Sequence, residues 1–339
     1  LDSTLTIAAN GTLSAPRGDM QVHGHLDINC TTVADQFTHN NGTYVMSGAA
    51  SLYAGGATFY KVTCDAVTSL RETATIENLL TIASGETTKF NCSVGAVTYT
   101  FGTSSAAATI NNLGTLRIDN TASNKPTIQG ASSLYPVICT GNDWDWNAYT
   151  TSGAEWRLAN IDYQVAMVTG SGSSGHPTIT LTGDCEFDAV TVSSDCTLDL
   201  NGQRAKFSAV LTNSGTIHYD GLIDAYNIND DGTANDTATS DLMLSGIGGS
   251  DVTLDMPAST FRNVMINAES SGKYDNCQVM QATNLIVAEG QIESDGGNWS
   301  VTNCTVATGG ELDAGSSTHT VAGDLSLIHI SEPTRRTPI

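Results

Sequence analysis

A three-residue unit, glycine followed by a polar and then an apolar residue, recurs along the chain and limits what it can fold into. It appears as Gly11-Thr-Leu13, Gly24-His-Leu26, Gly42-Thr-Tyr44, Gly114-Thr-Leu116, Gly215-Thr-Ile217 and Gly310-Glu-Leu312, with Cys196-Thr-Leu198 as a variant. Glycine supplies a tight turn, and the polar/apolar step that follows begins a strand with one face buried. Some separations fit one period, such as 18 from Gly24 to Gly42 and 19 from Cys196 to Gly215; others, such as 13 from Gly11 to Gly24 and 82 from Gly114 to Cys196, do not. A second unit places Cys after a polar residue, at Cys30, Cys64, Cys92, Cys185, Cys277 and Cys304, with spacings of 28 and 27 within two of its pairs. Both units fit a coil of roughly 18 to 28 residues with turns of variable length.

Between the turns the strands are short and alternating, as in Thr178-Ile-Thr-Leu-Thr182 and Thr216-Ile-His-Tyr219. Continuous repetition of this kind predicts an all-β solenoid, a parallel β-helix in which each coil hydrogen-bonds to the next at about 4.8 Å. No strict hexapeptide pattern is present, so the expected form is the right-handed parallel β-helix with side loops. About 12 to 16 coils would make a rod of about 60 to 75 Å at that spacing. Residues 119–177, with Lys125-Pro126 and Gly170-Ser-Gly-Ser-Ser-Gly175, and residues 224–241, rich in Asn and Asp, break the pattern and read as side loops or joints. The domain reading is one solenoid over 1–324, either continuous or as two stacked halves joined near 119–177.

Composition agrees with strands rather than helices. The 339 residues include 33 Gly and only 14% charged positions, against 40% hydrophobic ones. Lys and Arg number 13 and Asp and Glu 35, a formal net charge of −22. Scarce, unclustered basic residues exclude broad contact with nucleic acid. They also disfavour a lyase of acidic polysaccharide, which needs cations at its substrate. No apolar run reaches the roughly 18 residues of a membrane helix.

Both ends read as artificial. Leu1 is not an initiating Met, and Leu325-Ser-Leu-Ile-His-Ile-Ser-Glu-Pro-Thr-Arg335 matches the translation of a transposase-library sequencing adapter. Residues 325–339 are therefore expected to be a non-native tail. The tail holds one Glu and two Arg, and without it the net charge is −23.

Cys185-Glu-Phe-Asp-Ala-Val-Thr-Val192, Thr197-Leu-Asp-Leu-Asn-Gly202, Leu211-Thr-Asn-Ser-Gly-Thr-Ile217 and Gly310-Glu-Leu-Asp-Ala-Gly315 resemble the β-solenoid repeats of tailed-phage structural proteins and of bacterial adhesin or autotransporter passengers. The resemblance implies a rod that displays surfaces on a virion or cell surface, and it carries no catalytic motif. Phage rods of this kind are often trimeric, so a homotrimer is what it implies for assembly.

Three clusters carry candidate chemistry. Asp143, Trp144, Asp145, Trp146, Tyr149, Glu155 and Trp156 put three of the chain's four Trp beside carboxylates. Aromatic faces stack on sugars and paired carboxylates hydrolyse glycosides, so Trp144, Trp146, Tyr149 and Trp156 are candidate ligand contacts and Asp143 and Asp145 candidate acids; indoles packed over a core edge are the competing reading. Asn227, Asn229, Asp231 and Asp236 place oxygen ligands around Gly232 like the first half of a calcium loop, although Ala238 stands where a bidentate Glu is expected and an ordinary polar turn uses the same residues. Eight Cys lack any Cys-x-x-Cys spacing and read as small apolar residues stacked inside coils, with Cys185–Cys196 or Cys277–Cys304 as disulfides an oxidising compartment would allow. Beyond calcium, no cofactor is expected.

The functional expectation is a structural or receptor-binding rod that meets a cell-surface glycan or receptor through exposed loops. Its rival is a secreted β-helix hydrolase of neutral polysaccharide.

Overall fold

The computed structural model describes residues 3–327 except 92–94, 120–124, 143, 147–154, 170–176, 231, 236–238, 246–250, 255–259, 269–271, 277–279 and 295. It is a parallel β-solenoid of about 13 turns, which at the strand spacing is about 60 Å of rod. Among the described residues the one α-helix is the short Val33–Gln36, and no helix is long and apolar enough to cross a membrane.

Three ladders run along the rod. The longest passes from Asp19–Val22 and Thr43–Met46 through Val137–Gly141, Ile161–Tyr163 and Cys185–Phe187, and on to Asp241–Leu244 and Leu325–Leu327. A second begins at Leu5–Ile7 and Leu26–Ile28 and includes Thr115–Asp119; in later coils Trp144–Trp146, Met167–Thr169 and Val190–Val192 pair in sequence. A third runs through Thr127–Gly130, Glu155–Ala159, Thr178–Leu181, Thr197–Asp199 and Thr216–His218. Coil length varies, because Thr43 and its partner Lys61 are 18 residues apart whereas Leu79 and Thr109 are 30 apart.

The long ladder continues through 119–177, and 224–241 is largely strand as well: Leu222–Asp230, Thr233–Asn235 and Asp241–Leu244. The side-loop expectation for this second segment is corrected. Buried Ile223, Ala225 and Ile228 of Leu222–Asp230 supply the inward period that its Asn and Asp obscure.

Inward positions align in rows. Ile161, Cys185, Ala205, Ile223, Leu242, Val264, Leu285 and Cys304 are successive register partners, all buried. Beside them Tyr163, Phe187 and Phe207 stack face to face, with centroids 5.3 Å apart at both steps and interplanar angles of 10° and 14°. Cys64, Cys139, Cys185, Cys196 and Cys304 are buried and Cys30 partly buried, whereas Cys92 and Cys277 lie outside the described residues. Cys185 and Cys196 do not form the disulfide allowed above. Cys185 belongs to the long ladder, and Cys196 precedes a strand of the third.

The recurring glycine has a steric cause. A Cβ at Gly42 would stand 2.2 Å from the carbonyl oxygen of Pro16, and one at Gly215 would stand 2.3 Å from that of Ser193. In each case the oxygen belongs to the preceding coil, which leaves no room for a side chain. Gly42 opens a strand of the long ladder, Gly114 one of the second and Gly215 one of the third. The unit therefore marks any corner, and its separations mix whole coils with parts of coils.

An asparagine ladder lies on the outer side of the long sheet. Nδ2 of Asn263 donates to Oδ1 of Asp241 (2.7 Å), Asn284 to Asn263 (2.7 Å) and Asn303 to Asn284 (2.8 Å). Leu325–Leu327, the first residues of the segment read as adapter, pair with Cys304–Val306 and are exposed. An open sheet edge offers its N–H and C=O groups to any short alternating segment. Residues 328–339 lie outside the described residues.

Candidate functional site

With the interior filled by apolar side chains, chemistry is left to the outward rows. On the long sheet one such row reads Ile138, Asp162, Glu186, Lys206, Asp224 in register. Alternation along each strand places these groups outside, between buried neighbours such as Ile161 and Tyr163 or Cys185 and Phe187. A neighbouring row contributes Asp184 and Arg204.

These residues form a connected polar network. Nζ of Lys206 lies 3.3 Å from Oε2 of Glu186. Nη2 of Arg204 donates to Oδ2 of Asp224 (2.8 Å), and its backbone N–H donates to Oδ1 of Asp184 (3.0 Å). Asp224 is buried, 4% exposed, and also accepts from the Ser245 hydroxyl. Burial without a full set of charged partners pushes the Asp162 carboxyl above the usual carboxylate range; Glu186 raises it further, while Gln164 and Lys206 oppose the shift.

A cavity of about 230 Å³ opens beside this row, lined by Ser133, Asn160, Asp162, Asp184, Glu186 and Arg204, among others. Asn160 turns the chain there in the left-handed region (φ 53°), and its backbone N–H donates to the carbonyl of Asp184 (2.9 Å). The tight turn between Ser132 and Tyr135 stands near the rim, held by the Tyr135 N–H donating to the Ser132 carbonyl (3.1 Å). Leu134 at its tip is 75% exposed. The arrangement combines hydrogen-bond donors and acceptors with an apolar wall from Pro136 and Ile161, on a scale suited to one small polar unit.

The aromatic cluster singled out from sequence is divided by the fold. Trp144 lies in a strand paired with Met167–Thr169, and its ring packs edge-on against Tyr163 at 5.2 Å. Trp156 lies in the third ladder, against Phe90 at 6.4 Å. Both indoles are inside, at 1% and 0% exposure, so they fill the core on two separate sheets instead of forming one outward platform. Glu155 faces outward, where Lys125 and Arg157 pair with it. Burial raises its carboxyl, but those two cations outweigh it and hold the group below its ordinary value. Asp145 and Trp146 are in the strand Trp144–Trp146, and their side chains, with Asp143 and Tyr149, lie outside the described residues.

Of the calcium candidates, Asn227 and Asn229 sit two residues apart in Leu222–Asp230 and pair with Val210 and Thr212. Asp231 and Asp236 lie outside the described residues. Among the described residues, no group of three or more His, Cys, Asp or Glu is placed to hold a metal ion.

Sequence reasoning did not single out Asp162, Asp184, Glu186 or Arg204. The signal available was the alternation of Asp162 and Glu186 with buried residues, but only coil register brings the two together. The chain matches no protein-family model, no curated protein and no solved structure, so its geometry alone carries the functional reading.

Proposed function

We propose that this chain is a rigid rod of a virion or cell surface that binds a cell-surface glycan or receptor through the outward groups of its long sheet. The observation carrying this reading is the uninterrupted ladder from Asp19–Val22 to Leu325–Leu327, which gives stiffness without a separate scaffold. The groove around Asp184, Glu186 and Arg204 is the contact surface. Its mixed charges and the ring of Pro136 at its wall suit the hydroxyls and apolar ring face of a neutral saccharide. Three such rods side by side would triple the groove and give avidity.

Binding of the purified protein to an array of neutral glycans tests the reading, with sedimentation equilibrium to count chains. Binding that is lost in Arg204→Ala and Asp184→Ala, with unchanged melting, supports it. An array without signal overturns the saccharide assignment.

A further inference from the structure

We propose that the saccharide bound by the rod carries an alkyl or acyl chain, and that a second groove beside the first holds that chain; this rests on the saccharide-binding reading above. The outward row of Lys206 and Asp224 continues in register through Met243, Met265 and Ile286. Each of these three apolar residues lies between buried neighbours on its strand, as Met265 does between Val264 and Ile266, so it faces out. With Leu222 and Leu242 they line a cavity of about 270 Å³, whose other lining residues are Asp241 and Asn263. The solvated face of a sheet is ordinarily polar, so an apolar groove in it marks a contact.

The two grooves are continuous. Arg204 lines the polar one, and its direct Cα partner on the next coil, Leu222, lines the apolar one. At their boundary Nη2 of Arg204 donates to Oδ2 of Asp224 (2.8 Å), the residue that precedes Met243 in the outward row.

The polar groups of the second groove bond to one another and to their neighbours. Oδ1 of Asp241 accepts from Nε of Arg262 (2.8 Å) and from Nδ2 of Asn263 (2.7 Å), and Oδ1 of Asn263 accepts from Asn284 (2.7 Å). The apolar floor therefore suits a group that makes no hydrogen bonds, a hydrocarbon chain in place of a second sugar. Met243 and Ile286 are two coils apart, about 10 Å, the length of about eight extended methylenes. Unbranched, polarizable methionine adapts to such a flexible chain. A second copy of the protein is the poorer occupant, because five apolar side chains fall far short of the roughly 20 to 30 residues a side of a stable protein contact.

The test titrates the full chain with methyl, butyl and octyl β-D-glucosides and β-D-galactosides below micelle formation, by calorimetry and by NMR of carbon-13-labelled Met methyl groups. Affinity should rise about twofold per methylene, since the groove covers one side of the chain, and so about 100-fold from methyl to octyl. The methyl signals of Met243 and Met265 should shift with octyl and not with methyl glycosides. Met265→Asn should flatten the series and leave melting and methyl-glycoside affinity unchanged. Ile286→Thr should do the same, and it introduces only the residue type that follows in the row at Thr305. Methyl glycosides that bind as tightly as octyl ones overturn the chain site and leave the saccharide reading standing. A wild-type dimer that Met265→Asn dissociates also overturns it, by showing that a second copy covers the stripe. Octyl glycosides that bind no tighter than octanol are instead the failure of the saccharide reading, and the chain-bearing saccharide falls with it.

Discussion

Nδ2 of Asn284 donates to Oδ1 of Asn263 at 2.7 Å, one coil away, and Oδ1 of Asn284 accepts from Asn303 at 2.8 Å. Each side chain therefore repeats outside the sheet the parallel pairing of the backbone beneath it. Asn284→Ala removes both bonds and should destabilise the chain by about 1–2 kcal/mol in urea denaturation. Asn284→Asp keeps an acceptor for Asn303 but loses the donor to Asn263, and should also destabilise at neutral pH. Equal stability of all three proteins would show that the ladder contributes nothing net.

The stacked column of Tyr163, Phe187 and Phe207 fills the interior of three successive coils. Phe187 is its middle ring and is 1% exposed. Phe187→Ala should cost about 3–5 kcal/mol, because the coils above and below are tied by their ladders and cannot collapse into the gap. Phe187→Leu, closer in volume, should cost less. Calorimetric melting of the two variants checks the order.

Asp162 and Asp241 should respond to acid in opposite senses. The Asp162 carboxyl is raised chiefly by burial, so its ionised form carries a penalty in the folded state that appears as pH rises through the unfolded carboxyl value near 3.9 and is complete above the folded one. Asp162→Asn should therefore raise the melting temperature at pH 7 and do nothing below pH 3. Hydrogen bonding from Arg262 lowers the Asp241 carboxyl, with burial opposing and Asn263 assisting. Its stabilisation is present above the unfolded value and lost as pH falls through the folded one, so Asp241→Asn should lower the melting temperature at pH 7 and converge on wild type in strong acid. Melting curves across this range decide both signs.

Burial raises the thiols of Cys64 and Cys185 to about 11 and about 12. Both therefore lack thiolate as well as access at neutral pH. Iodoacetamide at pH 8 should modify Cys30 in the folded protein and leave Cys64, Cys139, Cys185 and Cys196 unmodified until urea unfolds the chain. Peptide mass spectrometry reads the sites, and early labelling of Cys185 would contradict the packing of its coil.

That this chain stacks short strands into a solenoid is legible in its residues alone. Glycine before a polar and apolar pair, as at Gly42, Gly114 and Gly215, encodes a corner pressed against the coil beneath, whereas the strand over Leu222–Asp230 was hidden by its Asn and Asp and emerged only from the burial of Ile223, Ala225 and Ile228. Local sterics and alternation are written in adjacent residues, so they can be read there. Which side chains meet depends on how the coils stack. Coils of 17 to 30 residues set a register that no fixed period predicts. That register sends Trp144 and Trp156, close in sequence, into the core of different sheets, and makes Asp162 and Glu186, separated by a whole coil, neighbours at one cavity. Side chains next to each other in a strand point to opposite faces, whereas those a coil apart share one, so the candidate site lies along the rod axis and not along the chain.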